Sequence, residues 1–139
     1  LEQYASATGV VHIAKDMARE FTTGKSRLKD LEDTHQKVTS KIVFYLADNG
    51  DILANQVVDR VCFYLGLALA DVANTINPSN IIIGGGVSNA GNTLLQPTTR
   101  YFQENAFKPV RDSTKVQLAQ LGNDAGAIGA GSLALRFKK

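Results

Sequence analysis

Residues 77 to 91 constrain this chain most: Asn77-Pro78-Ser79-Asn80-Ile81-Ile82-Ile83-Gly84-Gly85-Gly86-Val87-Ser88-Asn89-Ala90-Gly91. The residue ahead of a proline is pushed away from helical geometry, so a helix arriving here ends at Asn77. Three consecutive isoleucines carry apolar bulk on both faces, the pattern of a strand covered on both sides within a parallel sheet. Glycines at the carboxyl end of such a strand let backbone approach a ligand where a side chain would block it. In open α/β sheets, ligands bind just outside the carboxyl ends of the strands. One stretch thus proposes both a fold class, α/β, and a place for a site.

The flanking sequence is helix-rich. Leu1 to Phe21 is helical in pattern, with Val10, Ile13, Ala14, Met17 and Phe21 on one face, and Thr8 or Ser6 is placed to cap it. Thr22 to Ser26 reads as a loop, and Leu28 to Gln36 is polar with few core candidates. Val38 to Leu46 reads as a short helix, and Asn49-Gly50-Asp51 as a helix stop, a turn and a new N-cap in succession. The strongest helix runs from about Ile52 to Ile76, with Leu53, Val57, Val61, Leu65, Leu69, Val72 and Ile76 as its stripe. Gly66 costs about 1 kcal/mol against alanine inside a helix, which marks a close contact. Thr93 to Phe107 reads as a helix with Pro97 near its start, Lys115 to Leu121 as a second strand, and Ala125 to Phe137 as a closing helix capped by Asp124. Strand, helix, strand from Ile81 to Leu121 implies a right-handed parallel crossover.

A chain of 139 residues, 44% hydrophobic and 20% charged, is expected to form one domain or part of one. The net charge of +2 is too small and too evenly spread to argue for nucleic acid. Cys62 is the single cysteine, which excludes an internal disulfide and fits a reducing compartment such as the cytoplasm. No apolar run reaches the ~20 residues that span a bilayer. The chain begins at Leu1, already amphipathic, and is expected to be an excerpt of a longer protein.

Most motifs fail on their own geometry. Gly24-Lys25-Ser26 resembles the end of a P-loop, but the required earlier glycine falls at Arg19 and no strand precedes it. A dinucleotide fingerprint starting at Gly84 needs its third glycine where Asn89 stands. The residues alone leave Gly84-Gly85-Gly86 as either a tight strand-to-helix turn or a ligand-facing backbone. The run of Ala125, Gly126, Ala127, Gly129, Ala130 and Gly131 reads as a close-packing surface in preference to an anion site. His12 and His35 have no partner at metal-ligand spacing, and Cys62 reads as core in preference to nucleophile. Glu2 and Asp124 are isolated carboxylates.

Three blocks together resemble the ROK family of repressors, open reading frames and sugar kinases, its bacterial glucokinase branch above all. Leu1 to Gly9 is similar to the segment that follows the family's cysteine-rich zinc motif. Asn77-Pro78 through Ser88 is similar to the adenosine-side segment. Leu121-Gly122-Asn123-Asp124-Ala125 through Ala130 is similar to the family's closing helix. The resemblance implies an actin-like, ribonuclease-H-like two-lobe fold, of which residues 1–139 are part of the C-terminal lobe with a small parallel sheet. It implies that Glu2 contacts sugar hydroxyls and that Gly84, Gly85 and Gly86 form the turn beside the adenosine. The family's catalytic aspartate, phosphate loops and structural-zinc ligands lie upstream of Leu1, so the chain is expected to be inactive alone. For the whole protein the expectations are ATP with Mg, a hexose, a cytoplasmic location and a homo-oligomer. The alternatives are a sugar-responsive transcriptional repressor, or a kinase for fructose or an N-acetylated amino sugar. Loss of upstream strands is expected to leave one sheet edge open to self-association.

Overall fold

The computed structural model describes residues 7–22, 24–84, 90–119 and 134–138. Among the described residues four helices come first: α1 (Ala7–Glu20), α2 (Arg27–Asp33), α3 (Ser40–Asp48) and α4 (Ile52–Ile76). Strand β1 (Asn80–Gly84) follows, then α5 (Asn92–Asn105), α6 (Lys108–Ser113), β2 (Lys115–Leu118) and β3 (Ala134–Lys138). The sheet order is β2-β1-β3.

Helix α4 is the axis of the molecule. Leu53, Val57, Val61, Leu65 and Leu69 are fully buried, as their spacing predicts, whereas Val72 is half-buried and Ile76 is exposed. A second stripe, Ala54, Val58, Cys62, Gly66, Ala70 and Ala73, is buried as well. Two buried faces mean that neighbours pack on both sides: α1 and α3 contribute Val10, Ala14, Val43 and Ala47 to the same core that takes Leu94 and Phe102 of α5. By length and composition α4 is apolar enough to cross a bilayer; half of its most apolar window is buried inside the fold. Asp59 and Arg60 interrupt that window and Asp71 lies beyond it, so the sequence shows no unbroken apolar run.

Gly66 marks the closest approach. A Cβ there would stand 2.6 Å from Tyr101 Cβ and 2.9 Å from both Phe102 N and Thr98 O. Helices α4 and α5 therefore cross backbone to backbone. At the outer edge of this crossing the Tyr101 hydroxyl donates to Asp59 at 2.7 Å, and Arg100 lies over the Tyr101 ring.

One carboxylate joins two helix starts. Asp51 caps α4 by accepting from Ala54 N at 2.9 Å. It also accepts from Ser26 Oγ at 2.7 Å and from Arg27 N at 2.6 Å, where α2 begins. Ser26 in turn caps α2 by accepting from Lys29 N. The glycine-lysine-serine triplet is thus a helix start. The polar 28–36 stretch is the short helix α2 with the fully buried Leu28 as its anchor. Asn49, Gly50 (φ +89°) and Asp51 are the C-cap, turn and N-cap that the sequence implies.

The sheet confirms the isoleucine strand and its parallel partner, and corrects the closing helix. Asn77 closes α4 in the left-handed region at φ 46°, and Ile81, Ile82 and Ile83 are buried in β1. Strand β1 pairs in parallel with β2, Ile81 opposite Val116 and Ile83 opposite Leu118. Its other edge pairs with β3, antiparallel, Ile81 opposite Phe137. Residues 134–137 are therefore strand, not the end of a closing helix, and β2 and β3 are the outer strands of the sheet among the described residues. The sequence Leu133-Ala134-Leu135-Arg136-Phe137-Lys138 alternates in hydropathy, which suits a strand. An edge of unpaired amides and carbonyls is what recruits such a segment. The remainder of the expected helix, with Asp124 and the small-residue run, lies outside the described residues.

Smaller departures have local causes. Helix α1 includes Thr8, which removes it as a cap, and Ser6 lies outside the described residues. Pro97 sits inside α5, not in its first turn. Pro109 opens the separate helix α6, which the sequence reading left without an element.

Candidate functional site

Gly84 is the last residue of β1 and is buried. The parallel pair ends beside it, where Ala119 N donates to Ile83 O at 2.8 Å. Residues 85–89 lie outside the described set, and the chain returns at Ala90. Gly91, with φ 63° and ψ −136°, starts α5 and supplies no side-chain cap; its carbonyl accepts from Leu94 N and Leu95 N. The carboxyl end of β1 and the amino end of α5 therefore flank the glycine-rich segment, the arrangement in which α/β sheets hold ligands.

The first turn of α5 has two anchors. Leu94 is fully buried, and its carbonyl accepts from the Cys62 thiol at 3.5 Å. The Thr93 hydroxyl donates to the Asp48 carboxylate at the end of α3. No sequence spacing announces the second anchor, since its members lie 45 residues apart.

Of the residues assigned from the sequence, Gly84 stands where the reading put it. Glu2, Gly85 and Gly86 lie outside the described residues. Cys62 is core: burial pushes its thiol up to about 11, so it stays protonated and is no nucleophile at neutral pH. Among the described residues no three His, Cys, Asp or Glu side chains meet as a metal site. A groove of about 380 Å³ lined by Lys15, Ala18, Arg19, Glu32, Asp33 and His35 contains no residue of the sheet or of α5. Burial pushes the Glu32 carboxyl up, against the pull of Lys15 and Arg19.

The architecture is that of part of an actin-like ATPase lobe. It superposes on a ROK family glucokinase from Streptomyces griseus, solved in complex with glucose and AMPPNP. The TM-score is 0.72 at 29% identity, over 90% of this chain and 41% of that one. The chain belongs to the ROK family, whose model matches residues 1–137. A glucokinase of Halalkalibacterium halodurans is 47% identical over 133 residues, 96% of this chain and 40% of the relative. The xylose repressor of Bacillus spizizenii is 25% identical over 115 residues, 83% of this chain and 30% of the repressor. The chain thus spans less than half the length of these relatives.

Proposed function

We propose that this chain is part of the C-terminal lobe of a glucokinase, which in its whole form transfers the γ-phosphoryl group of ATP to the 6-hydroxyl of glucose. The 47% identity to a glucokinase along 96% of the chain carries this reading. The glycine-ended strand supports it: backbone at the carboxyl end of β1 is suited to receive the flat face of a nucleoside, and Gly84, Gly85 and Gly86 would be the turn beside the adenosine. Glu2 would accept hydrogen bonds from sugar hydroxyls. Magnesium would accompany ATP, and both it and a structural zinc would be held by residues outside this chain. The cytoplasm, where ATP is available, would be its compartment.

Phosphoryl transfer depends on groups on both sides of the phosphates and on a base that reaches the attacking hydroxyl. This chain supplies one wall of the nucleotide site. A coupled assay of ADP formation by the whole protein, over a panel of glucose, fructose and N-acetylated amino sugars, tests the reading. Glucose is expected to give the highest kcat/KM, and a preference for another sugar overturns the assignment. The match to a xylose repressor favours the second reading, a sugar-responsive regulator. Sugar-dependent DNA binding without ADP formation would establish it. Self-association belongs to the same proposal: β2 and β3 are the outer strands of the described sheet, and an uncovered strand edge can pair with a second copy. Sedimentation showing only monomer would count against it.

A further inference from the structure

The groove where α1 meets α2 holds about 380 Å³, within the range of small-molecule sites, and takes no residue from the sheet or from α5. Lys29 fixes its frame: the ammonium donates to Ala18 O of α1 at 2.7 Å and pairs with Asp33 of α2 at 3.1 Å. Several groups inside that frame have capacity to spare. Glu32 Oε1 is buried and accepts no hydrogen bond among the described residues. Buried polar atoms are nearly always satisfied, so an orphan acceptor points to a donor from outside the chain. Lys15, across the groove on α1, has no hydrogen bond or ion pair among the described residues. Arg19 is held only by Asp16 at 3.8 Å, an exposed pair of little strength. His35, just beyond α2, has φ 57°, a left-handed conformation usual for glycine, and brings an imidazole to the groove.

These groups define what fits. Lys15 and Arg19 stand four residues apart and share one face of α1. They favour an anion, and a guanidinium presents a fork of donors matched to phosphate. Asp33 opposes an anion little, because Lys29 already neutralises it. Glu32 disfavours a bare anion: its carboxylate repels one, and Oε1 needs an O–H or N–H donor. Lys15 and Arg19 in turn repel a metal or ammonium ion. A ligand that satisfies both walls carries negative charge at one end and hydroxyls at the other. We infer that this groove binds a phosphorylated sugar, its phosphate between Lys15 and Arg19 and a sugar hydroxyl donating to Glu32 Oε1. The inference stands apart from the kinase reading. Under that reading the ligand class includes the enzyme's own product, bound at a second site.

Calorimetry on the whole protein, with glucose and AMPPNP in excess to fill the catalytic cleft, tests this with glucose 6-phosphate, inorganic phosphate and gluconate as probes. Glucose 6-phosphate is expected to bind at about 0.1–1 mM, and inorganic phosphate about tenfold more weakly. K15A and R19A, both at exposed positions, each weaken glucose 6-phosphate about three- to tenfold. E32A leaves inorganic phosphate no weaker and removes the advantage of the sugar. Each variant's thermal midpoint is read alongside, and if E32A does not fold, E32Q takes its place, with a smaller loss of that advantage expected. Absence of binding up to about 10 mM glucose 6-phosphate overturns the inference. So does binding that K15A and R19A leave unchanged, which places the ligand elsewhere. Inorganic phosphate bound as tightly as the sugar phosphate removes the role of Glu32, and gluconate bound as tightly removes the assignment to phosphate; either result overturns the inference as stated. Failure of the kinase reading shows separately, as no ADP formation, and leaves the effect of the groove variants on binding to decide.

Discussion

Gly66 shows how a single missing methyl group sets the distance between two helices. Alanine there gains about 1 kcal/mol of helix propensity, but its Cβ meets Tyr101 Cβ at 2.6 Å and two backbone atoms of α5 at 2.9 Å. Backbone cannot step aside as a side-chain tip can, so overpacking of about 1–3 kcal/mol wins. G66A is expected to lower the urea midpoint; a rise would mean that α5 moves freely away. Cys62 lies one turn earlier on α4 and is fully buried. With its thiol pushed up to about 11 against an ordinary value of 9.0, the unfolded chain releases this proton first. Cys62 therefore lowers stability as pH rises from about 9 to about 11, and leaves it untouched at neutral pH. Thiol reagent at pH 8 is expected to label Cys62 only in denaturant; labelling of the native protein at the rate of a free thiol would refute its burial.

At the level of elements, local chemistry was legible wherever partners are close in sequence. The Asn49-Gly50-Asp51 punctuation, the Asn77 stop and the isoleucine strand each rest on residues within one turn of each other. What escaped were bonds between distant residues. Asp51 was readable as the cap of α4, but not as the acceptor for Ser26 and Arg27, 25 and 24 residues away. D51A removes acceptors at the starts of α2 and α4 together, so it is expected to cost about 2 kcal/mol, above the ~1 kcal/mol of an ordinary cap such as Thr39→Ala. Chemical denaturation of both variants compares them, and equal losses would show the clasp to α2 to be idle. The error at β3 has the same origin. The sequence around residues 134–138 tolerates either period, and pairing with β1, 50 to 58 residues earlier, decides in favour of two. For the candidate site, Gly84 was legible because a strand end is a local event. The Asp48 bond to Thr93 was not, because only the fold brings α3 to α5.

The whole molecule is an assembly of helices around α4 with a three-stranded sheet, and its candidate site occupies one end of that sheet. Catalysis is a property of both walls of a cleft, and one wall contributes binding without alignment. The 139-residue chain by itself is expected to form no ADP from ATP and glucose, and to bind ATP at roughly millimolar or weaker, about −4 kcal/mol. Turnover in a coupled assay, or micromolar affinity by calorimetry, would place catalytic groups within this segment.

The apolarity of α4 has a consequence for the chain before it is folded. By length and composition alone, this segment meets the requirement of a spanning helix, a test that a helix buried in the core of a fold can also pass. Near the centre of a bilayer each aspartate or arginine opposes insertion by about 2.5–3.5 kcal/mol, and α4 carries Asp59, Arg60 and Asp71. In the folded protein Asp59 binds Tyr101 and Arg100 at the rim of the α4–α5 crossing. The same three charges oppose insertion of a stretch that the fold covers with α1, α3 and α5.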